Sequence, residues 1–173
     1  MKNPFQRSYA PEEIVLFDFL SEISLFHDLN NDEKLVFLPY MYLRKYKQDE
    51  AVFFRGDPSH ALYLVKSGEV QLMLDIDRDM ETLAKVGEKQ SFGNSALIYE
   101  AKRTHNAIVL STEASLYVIP HVNIIDIFNS NAKIKAKMLS SLAQAYETYV
   151  EDMFDSYRAS KGFFSLNQLK HTI

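Results

Sequence analysis

The chain has 173 residues, 47% of them hydrophobic and 24% charged, which fits one folded domain and argues against disorder. It has no cysteine, which excludes disulfides, thiolate metal sites and cysteine nucleophiles together. Its net charge of −4 is the wrong sign for a domain that holds nucleic acid or an anionic membrane by charge.

In chain order, MKNPFQRSYAPEE opens as a loose arm without the apolar run of a signal peptide. No long uncharged apolar stretch follows, so a cytoplasmic protein with no membrane partner is expected. Pro11-Glu12-Glu13 starts a helix, with acids where the helix dipole favours them, and Ile14, Phe17, Leu20 and Leu25 fall near helical spacing. Asn31-Asp32-Glu33-Lys34 starts a second, with Leu35, Leu38 and Met41 on one face.

At about residue 42 the texture turns to short β-rich segments. Strands are expected at Leu43–Tyr46, Ala51–Phe54, Ala61–Val65, Glu69–Leu74, Thr82–Val86, Asn106–Leu110 and Ser115–Ile119. Arg55-Gly56-Asp57-Pro58 is a turn, and Lys66-Ser67-Gly68 is expected to close a hairpin. Asn94–Tyr99 is helix-permissive and follows Phe92-Gly93. Many short strands without βαβ alternation indicate a barrel, sandwich or roll.

From Val122 the pattern is helical again, with a break at Asn129-Ser130-Asn131 and a long helix over 132–157. In it Leu139, Leu142, Tyr146, Tyr149 and Met153 follow three- and four-residue steps, which suit packing on the same domain and a helix–helix dimer seam equally. The organisation expected is 1–41 for the arm and first helices, 42–121 for the β-rich unit, 122–157 for the C-terminal helices and 158–173 for a tail. The tail carries Arg158, Lys161 and Lys170 with no acid, and Phe163, Phe164, Leu166 and Leu169 form a small amphipathic patch.

Catalytic and metal chemistry find no support. His27, His60, His105, His121 and His171 lack ligand spacing. Asp75–Asp79 opens like a calcium loop, but Met80 and Val86 stand where its Gly and closing acid belong, so an acidic hairpin tip is expected. Gly93-Asn94-Ser95-Ala96-Leu97 lacks the second Gly of a nucleophile elbow. The remaining arrangement is Gly93 to Ala96 at the start of a short helix, followed by Lys102-Arg103. Free N–H groups there and a guanidinium beyond make a phosphate cradle.

Two stretches carry a family resemblance. Val52–Gly68, VFFRGDPSHALYLVKSG, resembles the Gly-Asp turn, apolar strand and closing Gly of cyclic-nucleotide-binding domains such as those of the catabolite activator protein and protein kinase A regulatory subunits. Phe92–Val109, FGNSALIYEAKRTHNAIV, resembles their phosphate-binding cassette, and FLSEISLFHDLNNDEK resembles their helical entry, so the likeness covers roughly 12–157. The resemblance implies an α+β fold, an eight-stranded antiparallel β-roll with N-terminal helices, a short cassette helix and a long C-terminal helix. It assigns Arg103 to the cyclic phosphate, Thr104 to an added hydroxyl, Gly93, Ser95 and Ala96 to the backbone cradle, Asn94 to the ribose and Tyr149 or Tyr146 to the base.

Two positions depart from the pattern: Asn94 stands for the Glu that takes the ribose hydroxyl, and His105 for a small residue. Ser59 is a third change, expected to matter little. The function implied is a non-enzymatic regulatory sensor with no cofactor or metal, binding a cAMP-like ligand weakly and signalling through its C-terminal helix as a homodimer. The competing reading is a degenerate module that dimerises or docks on an unknown protein partner without ligand. A DNA-binding regulator of the catabolite-activator type is the least favoured, since 158–173 leaves little room for a helix-turn-helix.

Overall fold

The computed structural model describes residues 8–76 and 79–159. Asp77 and Arg78 of the acidic tip, and the tail's Lys161, Phe163, Phe164, Leu166, Leu169 and Lys170, lie outside the described residues. Helix α1 spans Pro11–Ser21, where the Glu13 carboxylate accepts from the Ala10 N–H at 2.8 Å and Pro11 presets the first turn. Phe17 and Leu20 of α1 are buried, but Ile14 is 47% exposed and Leu25 lies in the 3-10 turn that follows.

Helix α2, Asn31–Leu35, is shorter than its apolar spacing suggests. Asn30 caps it by accepting from the Glu33 N–H at 2.9 Å, and Glu33 accepts from the Asn30 N–H at 2.9 Å. Pro39 then disfavours helix at Leu38, and the chain tightens into a 3-10 turn at Leu38–Tyr40. The buried side chain here is Phe37, not Leu38.

Eight strands form two antiparallel four-stranded sheets. Strands β1 (Tyr42–Lys47), β8 (Glu113–Pro120), β3 (Ala61–Ser67) and β6 (Ser91–Phe92) lie side by side in that order. The other sheet runs β2 (Ala51–Phe53), β7 (Asn106–Val109), β4 (Val70–Ile76) and β5 (Asp79–Val86). Strands β4 and β5 form the hairpin expected at Asp75–Asp79, pairing Ile76 with Asp79.

The segment Lys66-Ser67-Gly68 does not close a hairpin, because β3 and β4 belong to different sheets. It is a corner from one sheet to the other, turned at Gly68 with φ +86°. Strand β6 pairs Phe92 with Tyr63 and is too short to show as a sequence pattern.

The apolar run of β3 faces two cores. Ala61, Tyr63 and Val65 point between the sheets with Phe53, Val70, Phe92, Val109 and Leu116. Leu62 and Leu64 point outward, with Ile119, against Leu20, Phe26 and Phe37 and against Ile124, Phe128, Ile134, Met138 and Leu142 of the two last helices, α3 (His121–Ser130) and α4 (Ala132–Ala159). Such two-sided burial is why the run does not alternate with polar residues.

Ile134, Met138, Ser141 and Leu142 are buried in α4, and beyond Leu142 no residue of the helix is buried. Tyr146, Tyr149 and Phe154 are exposed. Among the described residues no helix is long and apolar enough to cross a membrane.

Glu33 ties α2 to α4. Its buried carboxylate accepts from Lys137 Nζ at 2.6 Å and lies 3.5 Å from Lys133 Nζ. Burial pushes the Glu33 carboxyl up, but hydrogen bonds from Lys137 and the Asn30 N–H and the two lysine charges outweigh it and hold the carboxyl below the usual range. Glu33→Ala is expected to cost about 2–3 kcal/mol in urea unfolding at pH 7, from the lost cap and charged hydrogen bonds. A carboxyl pKa lowered by folding contributes stability above its unfolded pKa and loses it as the pH falls through the folded value. The gap between wild type and Glu33→Ala should therefore shrink below the ordinary carboxylate range.

Candidate phosphate cradle

Gly93 ends β6 and turns the chain at φ +72° into a 3-10 helix, Asn94–Leu97, with Ala96 and Leu97 buried. A Cβ on Gly93 would meet Arg103 Nη1 at 2.7 Å and the Ala61 carbonyl oxygen at 3.2 Å, so the backbone touches the guanidinium only because the side chain is missing.

Arg103 is 4% exposed. Its Nη1 donates to the Gly93 carbonyl at 2.9 Å and to Ser95 Oγ at 3.4 Å, and Nη2 donates to the Ala61 carbonyl at 2.5 Å. Its Cζ lies 4.2 Å from the Phe53 ring centroid and 5.6 Å from that of Tyr63. The Nε is buried with no hydrogen-bond partner, and no carboxylate pairs with the guanidinium among the described residues. Burial lowers the Arg103 pKa, against the opposing influence of Tyr63 and Asp57, yet a guanidinium stays charged in proteins. A buried charge costs several kcal/mol of desolvation, which carbonyl oxygens offset less well than an anion does.

The Arg55–Pro58 turn is the clamp behind this side chain. Asp57 Oδ2 accepts from the Phe54 N–H at 2.9 Å and shapes the turn. The turn's Gly56 N–H donates to the Arg103 carbonyl at 2.9 Å, and the Arg103 N–H donates to the Asp57 carbonyl at 2.8 Å. Asn106 Oδ1 accepts from the Arg55 N–H at 2.9 Å. Ser59 matters more than expected: it is 5% exposed and its Oγ lies 2.6 Å from Ser95 Oγ, joining the turn to the cassette helix.

The structure brings Gly93, Ser95, Ala96 and Arg103 together. Asn94 flanks them, its Oδ1 accepting from Ser91 Oγ at 3.3 Å. Thr104 is exposed, with Oγ1 3.0 Å from His105 Nδ1. Tyr149 is 63% exposed on the outer half of α4 and shares none of the ring contacts around Arg103.

Those contacts come from residues the sequence did not mark: Phe53, Tyr63 and Phe92 form a cluster between the sheets, with Tyr63 stacked on Phe92 at 5.0 Å. Phe53 and Tyr63 carry only the signal of the apolar runs on β2 and β3, which reads as core, and β6 is too short to give Phe92 any. Burial pushes the Tyr63 hydroxyl pKa up, and the Arg103 charge opposes it. The cassette helix also reaches the C-terminal helices: His121 Nδ1 lies 2.6 Å from the Ala96 carbonyl oxygen, and Ala96 and Leu97 share a core with Ile124, Phe128 and Leu142.

The fold and cradle have relatives. The chain is 37% identical over 87 residues to a cyclic AMP receptor protein of Thermus thermophilus, a match covering 50% of this chain and 40% of that protein. It is 29% identical over 99 residues to a cAMP-dependent protein kinase regulatory subunit of Colletotrichum orbiculare, covering 57% of this chain and 25% of that one. The crystal structure of a cyclic nucleotide-binding domain from Methylobacillus flagellatus matches with TM-score 0.72 and 26% identity over 90% of this chain and 85% of that chain. The chain thus spans less than half the length of these two curated relatives. The family model for the cyclic nucleotide-binding domain matches residues 43–131, just over half of the chain and the whole of the cradle, and the protein belongs to that family.

Proposed function

We propose that the chain is a non-enzymatic sensor domain that binds a cyclic nucleotide, cAMP or a close analogue, with its phosphate on Arg103. The observation that carries this reading is the buried guanidinium with no carboxylate paired to it among the described residues, held on the carbonyl oxygens of Gly93 and Ala61 beside a Gly-turned helix start. Gly93, Ser95 and Ala96 supply the cradle, Thr104 lies at its mouth, Asn94 faces the ribose, and Tyr149 is placed to cover a base only if the outer half of α4 approaches the roll. The domain signals through α4: the Ala96–His121 contact and the shared core give ligand at the cassette a physical hold on α3 and α4. The exposed Tyr146, Tyr149 and Phe154 suit a homodimer along the same helix.

Calorimetric titration with cAMP and cGMP tests the reading. Heat that saturates supports it, and no heat at millimolar nucleotide rejects it. Affinity is expected to be modest, because Asn94 offers a neutral acceptor where the resemblance implies a carboxylate. Asn94→Glu should tighten cAMP binding about 2- to 30-fold, the difference between a neutral and a charged hydrogen bond.

The second reading, a module that works by protein contact without ligand, is favoured by one observation. Phe53, Tyr63 and Phe92 pack together behind Arg103, and the guanidinium rests on Phe53. A silent titration together with a stable dimer in sedimentation would select it.

A further inference from the structure

Two buried nitrogen atoms near the cradle have no hydrogen-bond partner: Arg103 Nε and His105 Nε2. Both side chains pack on the same ring, Arg103 with Cζ 4.2 Å from the Phe53 centroid and His105 with its ring centroid 5.7 Å away. The other His105 nitrogen, Nδ1, is taken by Thr104 Oγ1 at 3.0 Å. When the hydroxyl donates to Nδ1, the imidazole proton sits on Nε2, so two buried N–H donors packed against the same aromatic ring lack an acceptor among the described residues. A buried donor left unmade is costly, so an oxygen atom belongs there.

The surrounding charges decide what kind of oxygen. Arg103 acts on the imidazole from its own segment. Tyr63 on β3 and Asp57 in the β2–β3 turn bear on Arg103. Asp57 spends its Oδ2 on the Phe54 N–H. Phe53 on β2 and Thr104 contribute no charge. The net field at the imidazole is therefore cationic and favours an anion over water.

We propose that His105 is a second anion-binding residue of this cradle, donating from Nε2 to the phosphate that Arg103 holds, and that capture of the phosphate is accompanied by uptake of one proton on the imidazole. This rests on the assignment of the site to a nucleotide phosphate and adds a residue and a pH dependence to it. In the free protein, burial and then the Arg103 charge lower the His105 pKa, so the ring is neutral at pH 7. The negative charge and acceptor of a phosphate at Nε2 oppose both influences and raise it. The proton comes from solvent, no bond in the ligand changes, and binding strengthens as the pH falls through the imidazole range.

The test follows the His105 ring by NMR in the full chain, titrated from pH 5 to 8.5 without ligand, with cAMP and with inorganic phosphate, in wild type, His105→Gln and Arg103→Ala. Expected is a rise of the His105 pKa by about 1–3 on saturation with cAMP. The cAMP Kd should tighten about 3- to 50-fold from pH 8 to pH 6 in wild type, according to the size of that rise, and stay nearly flat in His105→Gln. If cAMP binds and neither the ring nor the pH profile responds, the role of His105 is overturned while the site assignment stands. If cAMP does not bind but phosphate raises the His105 pKa in wild type and not in Arg103→Ala, the two-donor anion site stands and the cyclic-nucleotide reading falls. If cAMP does not bind and phosphate leaves the ring unmoved, both fall.

Discussion

Arg103→Ala is expected to raise the Kd for cAMP by about 10²–10⁴-fold, the loss of two charge-assisted hydrogen bonds at about 1.5–3 kcal/mol each. The same change removes the donors that now satisfy the Gly93 and Ala61 carbonyls and empties the space over Phe53, so thermal stability should fall by about 1–3 kcal/mol as well. Circular dichroism at the titration temperature separates the two effects, because a folded variant with lost affinity isolates the binding term. Arg103→Lys keeps the charge but cannot bridge both carbonyls and a ligand oxygen with one fork, and it should fall between wild type and alanine. An Arg103→Ala protein that is folded and binds as tightly as wild type would place the anion somewhere else.

Gly68→Ala should produce the largest loss of stability of any single change considered, about 3–5 kcal/mol. Its backbone sits at φ +86°, and an added Cβ would lie 2.5 Å from the Glu113 carbonyl oxygen and 2.8 Å from Ala114 Cα. Those are main-chain atoms of β8, which no rotamer change can move aside, so backbone strain and overlap add together. Gly56 gives the matching control: its φ is +89°, but a Cβ there would meet nothing within 4 Å. Gly56→Ala should cost only about 1–2 kcal/mol, the conformational part alone. Urea unfolding of the two variants side by side measures the packing part by difference, and equal losses would mean the corner is not as tight as it is drawn.

Much of this molecule is legible in its sequence because local patterns and tertiary demands agree. Seven of the strands and the long helix announce themselves through apolar runs and turn residues, and Arg103 through its place after Gly93. What escapes is set at a distance. Lys66-Ser67-Gly68 has the composition of a hairpin turn, and only the partners of β3 and β4 reveal it as a corner between sheets. Ile14 fits the helical stripe of α1, yet Ala10–Ile14 lies beyond the edge of the core it was expected to face. Ser59 looks like a trivial change because its partner, Ser95, is 36 residues away. The aromatic floor under Arg103 is invisible for the same reason: Phe53, Tyr63 and Phe92 come from three strands, and nothing in any one of them distinguishes a ligand-facing ring from ordinary core.

The uneven burial of α4 has a mechanical meaning. The helix is gripped from Ile134 to Leu142, and from there to Ala159 it runs about 25 Å, at 1.5 Å per residue, with no buried residue. A stiff rod held at one end magnifies small rotations, so a tilt of about 10° at the grip carries its tip about 4 Å. The grip includes Met138 and Leu142, which share a core with Ala96 and Leu97 of the cradle. On the proposed signalling through α4, a displacement too small to open a cavity at Arg103 would become, at Phe154, a shift large enough to make or break a side-chain contact.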